Sequence, residues 1–213
     1  LYRHSRHSLT YLIANVARTD NMLKNYVDYL QIINQKLKRF FNKQQEYICC
    51  TKGCAKCCKN GEYPFSEIEY RLLTLGFSKL PTEKKEQIIK NVVEIKKQKA
   101  LHEEGTFTYP CPFLLDDLCS VYDYRGIICR TFGLITKFED NTPKIPFCVH
   151  ENLNYSKVYD AETKKISTEL YQKSGYKEEP EAYNIDYKFL TDDDFGKSYG
   201  FEFGEKKPLI DWL

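Results

Sequence analysis

No apolar run in this chain approaches the roughly 20 residues needed to cross a bilayer, and none of its 10 glycines forms a phosphate-cradling or dinucleotide-binding fingerprint. The expectation is a soluble protein with no membrane partner and no nucleotide loop. An excess of charge is missing as well. Lys and Arg number 32 against 30 Asp and Glu, a net charge of +2, so no overall field recruits nucleic acid or an anionic surface. Internal repeats, low-complexity linkers and a clear domain boundary are also absent, and residues 1–213 are expected to form a single domain. Arg3 and Arg6 precede a mildly apolar stretch, Leu9 to Ala17, but Asn15 interrupts it, and the segment is not read as a secretory leader.

The chain does have ample material for a core, being 42% hydrophobic and 15% aromatic over 213 residues. It also has nine cysteines. Five of them fall in the ten residues Cys49-Cys-Thr-Lys-Gly-Cys-Ala-Lys-Cys-Cys58. A secreted scaffold spreads an even number of cysteines along a short chain. An odd number in tight clusters, in a chain long enough to fold without staples, points to ligands and a reducing cytoplasm.

Periodicity predicts a mainly α, α+β fold with a small β-hairpin, its helices packed around a cysteine-ligated metal centre. From Asn21 to Phe41 the residues Leu23, Tyr26, Val27, Leu30, Ile33, Leu37, Phe40 and Phe41 recur at helical spacing. Asp20 or Asn21 is the expected N-cap, with a shorter helix over Leu9, Leu12, Ile13 and Val16 before it. Together these make residues 1–47 an N-terminal helical segment. Ser66-Glu67-Ile68-Glu69 has the form of a capping box, opening a helix that Gly76 should stop. Pro81-Thr82 opens another, through Ile88, Ile89, Val92, Val93 and Ile95 to about Leu101. Its lysine-rich outer side is read as a solvated face. Thr106 to Leu115 and Leu118 to Tyr122, separated by Asp116-Asp117, predict a hairpin that brings Cys111 near Cys119. A short helix or loop should carry Cys129. In the C-terminal extension, 151–213, a helix is expected over Asp160 to Tyr171, a strand over Tyr199, Phe201 and Phe203, and a docked end from Pro208 to Leu213.

Thiolates are soft donors for zinc or iron, and ligands two or three residues apart reach one ion from a single turn of backbone. Cys50, Cys54 and Cys57 have that spacing, with Gly53 at the turn. Adjacent side chains diverge by about 100° in a helix, so Cys57 and Cys58 are expected to serve different ions, or one of them none. The dispersed Cys111, Cys119, Cys129 and Cys148 make sense as partners to the first cluster. Four thiolates around a divalent ion leave negative charge, which Arg130 is placed to offset. Cys49 and His150 are left open as ligands.

The run Cys50-x3-Cys54-x2-Cys57-Cys58, then Cys111-Pro-Phe-Leu114, Cys119-Ser-Val-Tyr122, Arg125 and Cys129-Arg-Thr-Phe132, resembles the YkgJ-type cysteine-cluster family, CxxCxxCC, over about residues 48–150. That family is described as zinc- or iron-chelating. Here three residues separate the first two cysteines where the family often has two, and Arg125-Gly126 stands where it usually has Arg-Pro. Cys49 matches no family position. The resemblance includes flagellin lysine N-methylases, which implies a methyl donor and a protein lysine, although no S-adenosylmethionine loop is recognisable.

The expected ligand set is drawn from Cys50, Cys54, Cys57, Cys58, Cys111, Cys119, Cys129 and Cys148. The cofactor is zinc or iron, an iron-sulfur cluster included. The first functional expectation is a metal-binding protein whose site is mainly structural. The alternatives are a methylase-like or redox enzyme with an open coordination position lined by Tyr122, Arg125 or Arg130, and an adaptor for a protein partner that metal merely stabilises.

Overall fold

The computed structural model describes residues 5–213, with side chains from Asp20 onward. One helix, α1, runs from Ser5 to Lys43. It passes through Asp20-Asn21 without a break, where two helices were expected. An Asp-Asn pair caps a helix only where the upstream backbone leaves helical geometry, and no proline or glycine forces it to do so here. The upstream positions Leu9, Leu12, Ile13 and Val16 lie outside the residues whose side chains are described. Tyr26, Leu30, Ile33 and Leu37 form the buried stripe of α1, as the periodicity predicts, joined by Tyr29, which it did not pick out; Leu23, Val27, Phe40 and Phe41 are partly buried. At about 1.5–3 kcal/mol per large apolar side chain, that stripe is worth on the order of 10 kcal/mol before conformational entropy is set against it.

The stripe packs on Ile68 and Leu72 of α3 (Glu67–Ser78), with Tyr183, Ile185, Phe201 and Phe203 closing the cluster from the C-terminal side. The other face of α3, through Leu73, packs on Ile88 and Ile95 of α4 (Thr82–Ala100) and on Phe65, Tyr109, Phe113, Leu209 and Ile210. A third, smaller cluster joins Tyr47, Ile135, Tyr155 and Val158. About 51% of the chain is helical and the sheets are small, an α+β architecture. Among the described residues no helix is long and apolar enough to cross a membrane.

The capping box at Ser66 and Glu69 forms as expected. Gly76 does not stop α3, which continues to Ser78. Its role is steric: a Cβ there would lie 2.5–2.7 Å from Cγ, Cδ2 and Cβ of Tyr124. Gly76→Ala is therefore expected to destabilise the protein by about 1–3 kcal/mol in chemical denaturation. The gain of roughly 1 kcal/mol in helix propensity would not hide this, and an unchanged midpoint would show that the Tyr124 ring moves freely.

The hairpin is present in miniature. β2 (Leu114–Leu115) pairs with β3 (Leu118–Cys119), Leu114 opposite Cys119, and Asp116 and Asp117 both take positive φ, 50° and 58°, as a type I′ turn demands. Two expectations in the C-terminal part fail. Asp160 to Tyr171 is not a helix. β6 (Tyr159–Asp160) pairs with β7 (Lys165–Ile166), and only Thr168–Ser174 is helical, as α6. The Asp160 carboxylate accepts from the Glu162 and Thr163 amides, an alternative to helix that favours the turn. Residues 199–203 form no strand. Phe201 and Phe203 are buried, but Gly200 and Gly204 flank them at φ of 78° and 73°, and the carbonyls of Phe203 and Glu205 receive the first amides of α3 instead. The chain end is docked: β9 (Lys206–Pro208) pairs with β1 (Pro64–Ser66), and Trp212 Nε1 donates to the Phe65 carbonyl at 2.9 Å.

Candidate metal centre

Three separate stretches of chain bring the cysteines together. In the first, Gly53 takes φ of 89° with open space around it. That lets the backbone turn so that the Cys54 amide reaches the Thr51 carbonyl at 3.0 Å. The single-turn helix α2 (Lys56–Lys59) follows and holds Cys57 and Cys58. In the second stretch, the Cys111 amide donates to the Cys58 carbonyl at 2.8 Å, and Gly61 and Tyr109 exchange both backbone bonds. This short antiparallel contact places Cys111 beside Cys58, and the β2–β3 hairpin adds Cys119. Helix α5 (Ile127–Thr131) adds Cys129. The third is the 3-10 turn Phe147–Glu151, which carries the buried Cys148. Two surface ion pairs tie these pieces to α2: Lys56 to Glu151 at 2.8 Å and Lys59 to Asp117 at 2.7 Å. Each is worth at most about 1 kcal/mol.

The thiols act on one another in a definite pattern. Cys148, Asn154 and Cys54 hold Cys50 down at about 6 against the opposing effect of burial, and Asn154 Nδ2 donates to its sulfur at 3.3 Å. Cys148 is pushed up in turn. Cys58 is held down at about 7, first by the hydrogen bond from Cys57 and also by the Arg125 charge. Cys57 is correspondingly pushed up, with Cys148 and Cys129 also acting on it. Burial pushes Cys111, Cys119 and Cys129 up, and Cys58 adds to the effect on each.

The Cys57 and Cys58 sulfurs lie 3.8 Å apart, against the expectation that adjacent side chains diverge. One bond beyond Cβ is enough to swing them together on a helix of a single turn. About 3.8 Å is also the edge of a thiolate tetrahedron around zinc, given Zn–S of about 2.3 Å. All nine cysteines are free thiols. Among the described residues no group of three or more His, Cys, Asp or Glu side chains is arranged to hold an ion as it stands. The donor chemistry nevertheless fits a soft ion, because unoxidised thiols from separate segments converge.

The remaining candidates fall elsewhere. Cys49 is exposed, and its sulfur faces only the Tyr47 carbonyl at 4.0 Å. The His150 ring lies against Tyr159 and Phe147, with centroids at 5.5 and 5.9 Å. Arg130 makes no direct contact with a thiol, but its charge favours the Cys119 thiolate and that of Cys129 favours the guanidinium. Arg130 is 8% exposed and donates to the carbonyls of Arg125 and Asp123 and to Asn34 Oδ1, all within 3.0 Å. These acceptors tie α1 to the segment before α5. Arg125 acts in the same sense on Cys58, Cys119 and Cys129, and its guanidinium lies 3.6 Å from the Tyr122 ring centroid. Periodicity and spacing gave no signal for Asn154. It is fully buried, accepts from the Cys49 amide at 2.8 Å, and donates to the Gly133 carbonyl at 2.9 Å and to Cys50 Sγ at 3.3 Å. Gly133, at φ of 101°, leaves no room for a Cβ, which would meet Asn154 Nδ2 at 2.8 Å.

Thiols held close by short loops and single helical turns are the material from which thiolate metal sites are built. Residues 49–149, which contain all nine cysteines, match the family model CxxCxxCC, described as "Putative zinc- or iron-chelating domain". This stretch of the chain is a domain of that family. No curated protein and no solved structure matches the chain.

Proposed function

We propose that the cysteines hold zinc or iron in two sets and that the bound ions mainly stabilise the fold. The inner set is Cys58, Cys111, Cys119 and Cys129. The outer set is Cys50, Cys54 and Cys148, supported by Asn154, with Cys57 standing between the two. The observation that carries this is how one turn gathers the outer set: Asn154 Nδ2 donates to Cys50 Sγ at 3.3 Å, and the neighbouring Leu153 amide donates to the Cys148 carbonyl at 3.0 Å. Free thiols 98 positions apart in sequence are drawn to one turn there without forming a bridge, beside a second group in which the Cys111 amide bonds to the Cys58 carbonyl. Soft donors from separate segments are brought into contact this way when an ion replaces their protons.

When bound, zinc or iron supplies positive charge that turns clustered thiols into thiolate ligands. The chain's own residues do the rest. Asn154 orients Cys50, and the Cys111 amide fixes Cys58 relative to the hairpin. Arg125 offsets negative charge at Cys58. Tyr122, Arg125 and Arg130, the polar groups expected around an open catalytic position, lie outside the cleft that reaches Cys57.

Elemental analysis of anaerobically purified protein is expected to give zinc or iron at one to two ions per chain. A colourless protein would assign zinc, and a broad absorbance near 400 nm would assign an iron-sulfur cluster. Metal-free, fully folded protein with nine reactive thiols would overturn the proposal.

A further inference from the structure

A cleft of about 480 Å³ opens beside the thiols. Of the nine cysteines only Cys57 lines it. Asn60, at the end of α2, stands on the same wall, and Ile128, the neighbour of Cys129, lines it from α5. The cleft therefore lies between the two helices that carry Cys58 and Cys129. Phe132 and Phe147 give it apolar walls, and Asp186 and Lys188 reach it from the chain beyond the matched family segment.

From this geometry we infer that the cleft is the port through which a divalent cation reaches and leaves the inner set of thiols, with Cys57 as the first sulfur it meets. The inference rests on the two-set proposal above.

The two sets differ in access. Cys50 is exposed while Cys148 is buried, so an ion on the outer set exchanges with solvent through Cys50. Cys111, Cys119 and Cys129 are half-buried with none exposed, and Cys57 joins them to the cleft through its 3.8 Å contact with Cys58. Size permits entry of the ion with its water: six waters at about 30 Å³ each occupy roughly 180 Å³. Charge permits it too. The lining holds two carboxylates, Glu62 and Asp186, against two ammonium groups, Lys144 and Lys188. Lys144 is already paired with Asp186 at 3.3 Å and Lys188 with Glu139, so the lining does not repel a cation. At Cys57 a metal–sulfur bond forms as a coordinated water leaves, and the thiol proton passes to bulk water.

The test follows zinc release from the zinc-loaded full chain into excess chromophoric chelator. Two phases are expected, a fast one from the outer set and a slow one from the inner. Asn60 is exposed with extended backbone, φ −153°, and accommodates a bulky side chain. Asn60→Trp should slow the slow phase at least tenfold, leaving the fast phase and the zinc content unchanged. Phe147, 44% exposed on the wall, is replaced in the opposite sense: Phe147→Ala should quicken the slow phase. Lys90→Trp, on the solvent side of α4 and outside the cleft, should change neither phase. Opposite effects from the two cleft variants cannot come from misfolding. A slow phase indifferent to both, or both phases slowed alike by Asn60→Trp, would overturn the port. A wild-type chain that takes up no zinc or iron would instead remove the two-set proposal itself.

Discussion

Cys129→Ser is expected to lose bound metal and to lower the melting temperature by more than 10 °C, whereas Cys49→Ser should change neither. The difference comes from position. Cys49 is exposed and faces no other thiol. Cys129 is carried by α5 into the charge field of Cys58 and Cys119 and packs against the cluster that includes Leu73, Phe113 and Val121. Structural zinc sites bind with apparent free energies of about 10–16 kcal/mol, as much as the whole stability of an ordinary domain. In a chain of this size each kcal/mol is worth about 2–4 °C, so even a partial loss exceeds the stated shift.

A buried serine hydroxyl without a partner costs about 1–3 kcal/mol by itself, so destabilisation alone would not separate a ligand from a packed thiol. Additivity does. A chelator strong enough to strip wild-type protein should lower the melting temperature of Cys129→Ser by less than that of wild type, because the variant has already lost the inner ion and has only the outer one to give up. Differential scanning calorimetry with metal analysis on the same samples reads both quantities. Independent, additive losses would mean that Cys129 stabilises the core without binding anything.

What the sequence made legible were features with local causes. The stripe on α1, the capping box at Ser66, the Pro81 start of α4 and the Asp116-Asp117 turn each follow from residues within one or two turns of one another. The cysteine spacing singled out eight thiols, and the chain brings them into one region. Features with distant causes were not legible. Asn154 gains its role from Cys50, 104 positions away, and nothing near it in sequence marks it. Phe201 and Phe203 alternate in burial like a strand, yet two glycines and the amide donors of α3 decide their backbone. Arg130 stands next to a cysteine in sequence but is turned toward carbonyls and Asn34 by the way α5 enters the core.

Glu69 is the second position where a large effect is expected, and it belongs to the fold rather than to the thiols. Its side chain is 1% exposed and accepts four hydrogen bonds. Oε2 takes them from the Ser66 amide at 2.8 Å, Ser66 Oγ at 2.7 Å and Tyr187 Oη at 2.7 Å; Oε1 takes one from the Ile127 amide at 2.7 Å. One carboxylate thus joins the start of α3, the start of α5 with its Cys129, and α7 (Tyr187–Leu190). It also explains Gly126, where a Cβ would lie 2.9 Å from Oε1. Arg130 and Glu69 act with opposite sign on the buried Tyr26 phenol.

Glu69→Ala would leave all four donors without an acceptor. At about 1–3 kcal/mol for each buried group stranded, less the desolvation of the charge that is removed, a net loss of roughly 3–5 kcal/mol is expected. Glu69→Gln is not a mild change here, because whichever oxygen becomes an amide nitrogen then faces a donor. It should cost about half as much as the alanine. Burial lifts the Glu69 carboxyl above the ordinary carboxylate range. A raised folded pKa contributes stability that is present below the unfolded value and lost as pH rises through the folded one. Urea denaturation across that range should therefore show a decline in wild type that Glu69→Gln, which cannot ionise there, does not share. Equal slopes in the two proteins would mean that the carboxylate is ionised at no cost, with its four donors and Arg130 compensating burial in full.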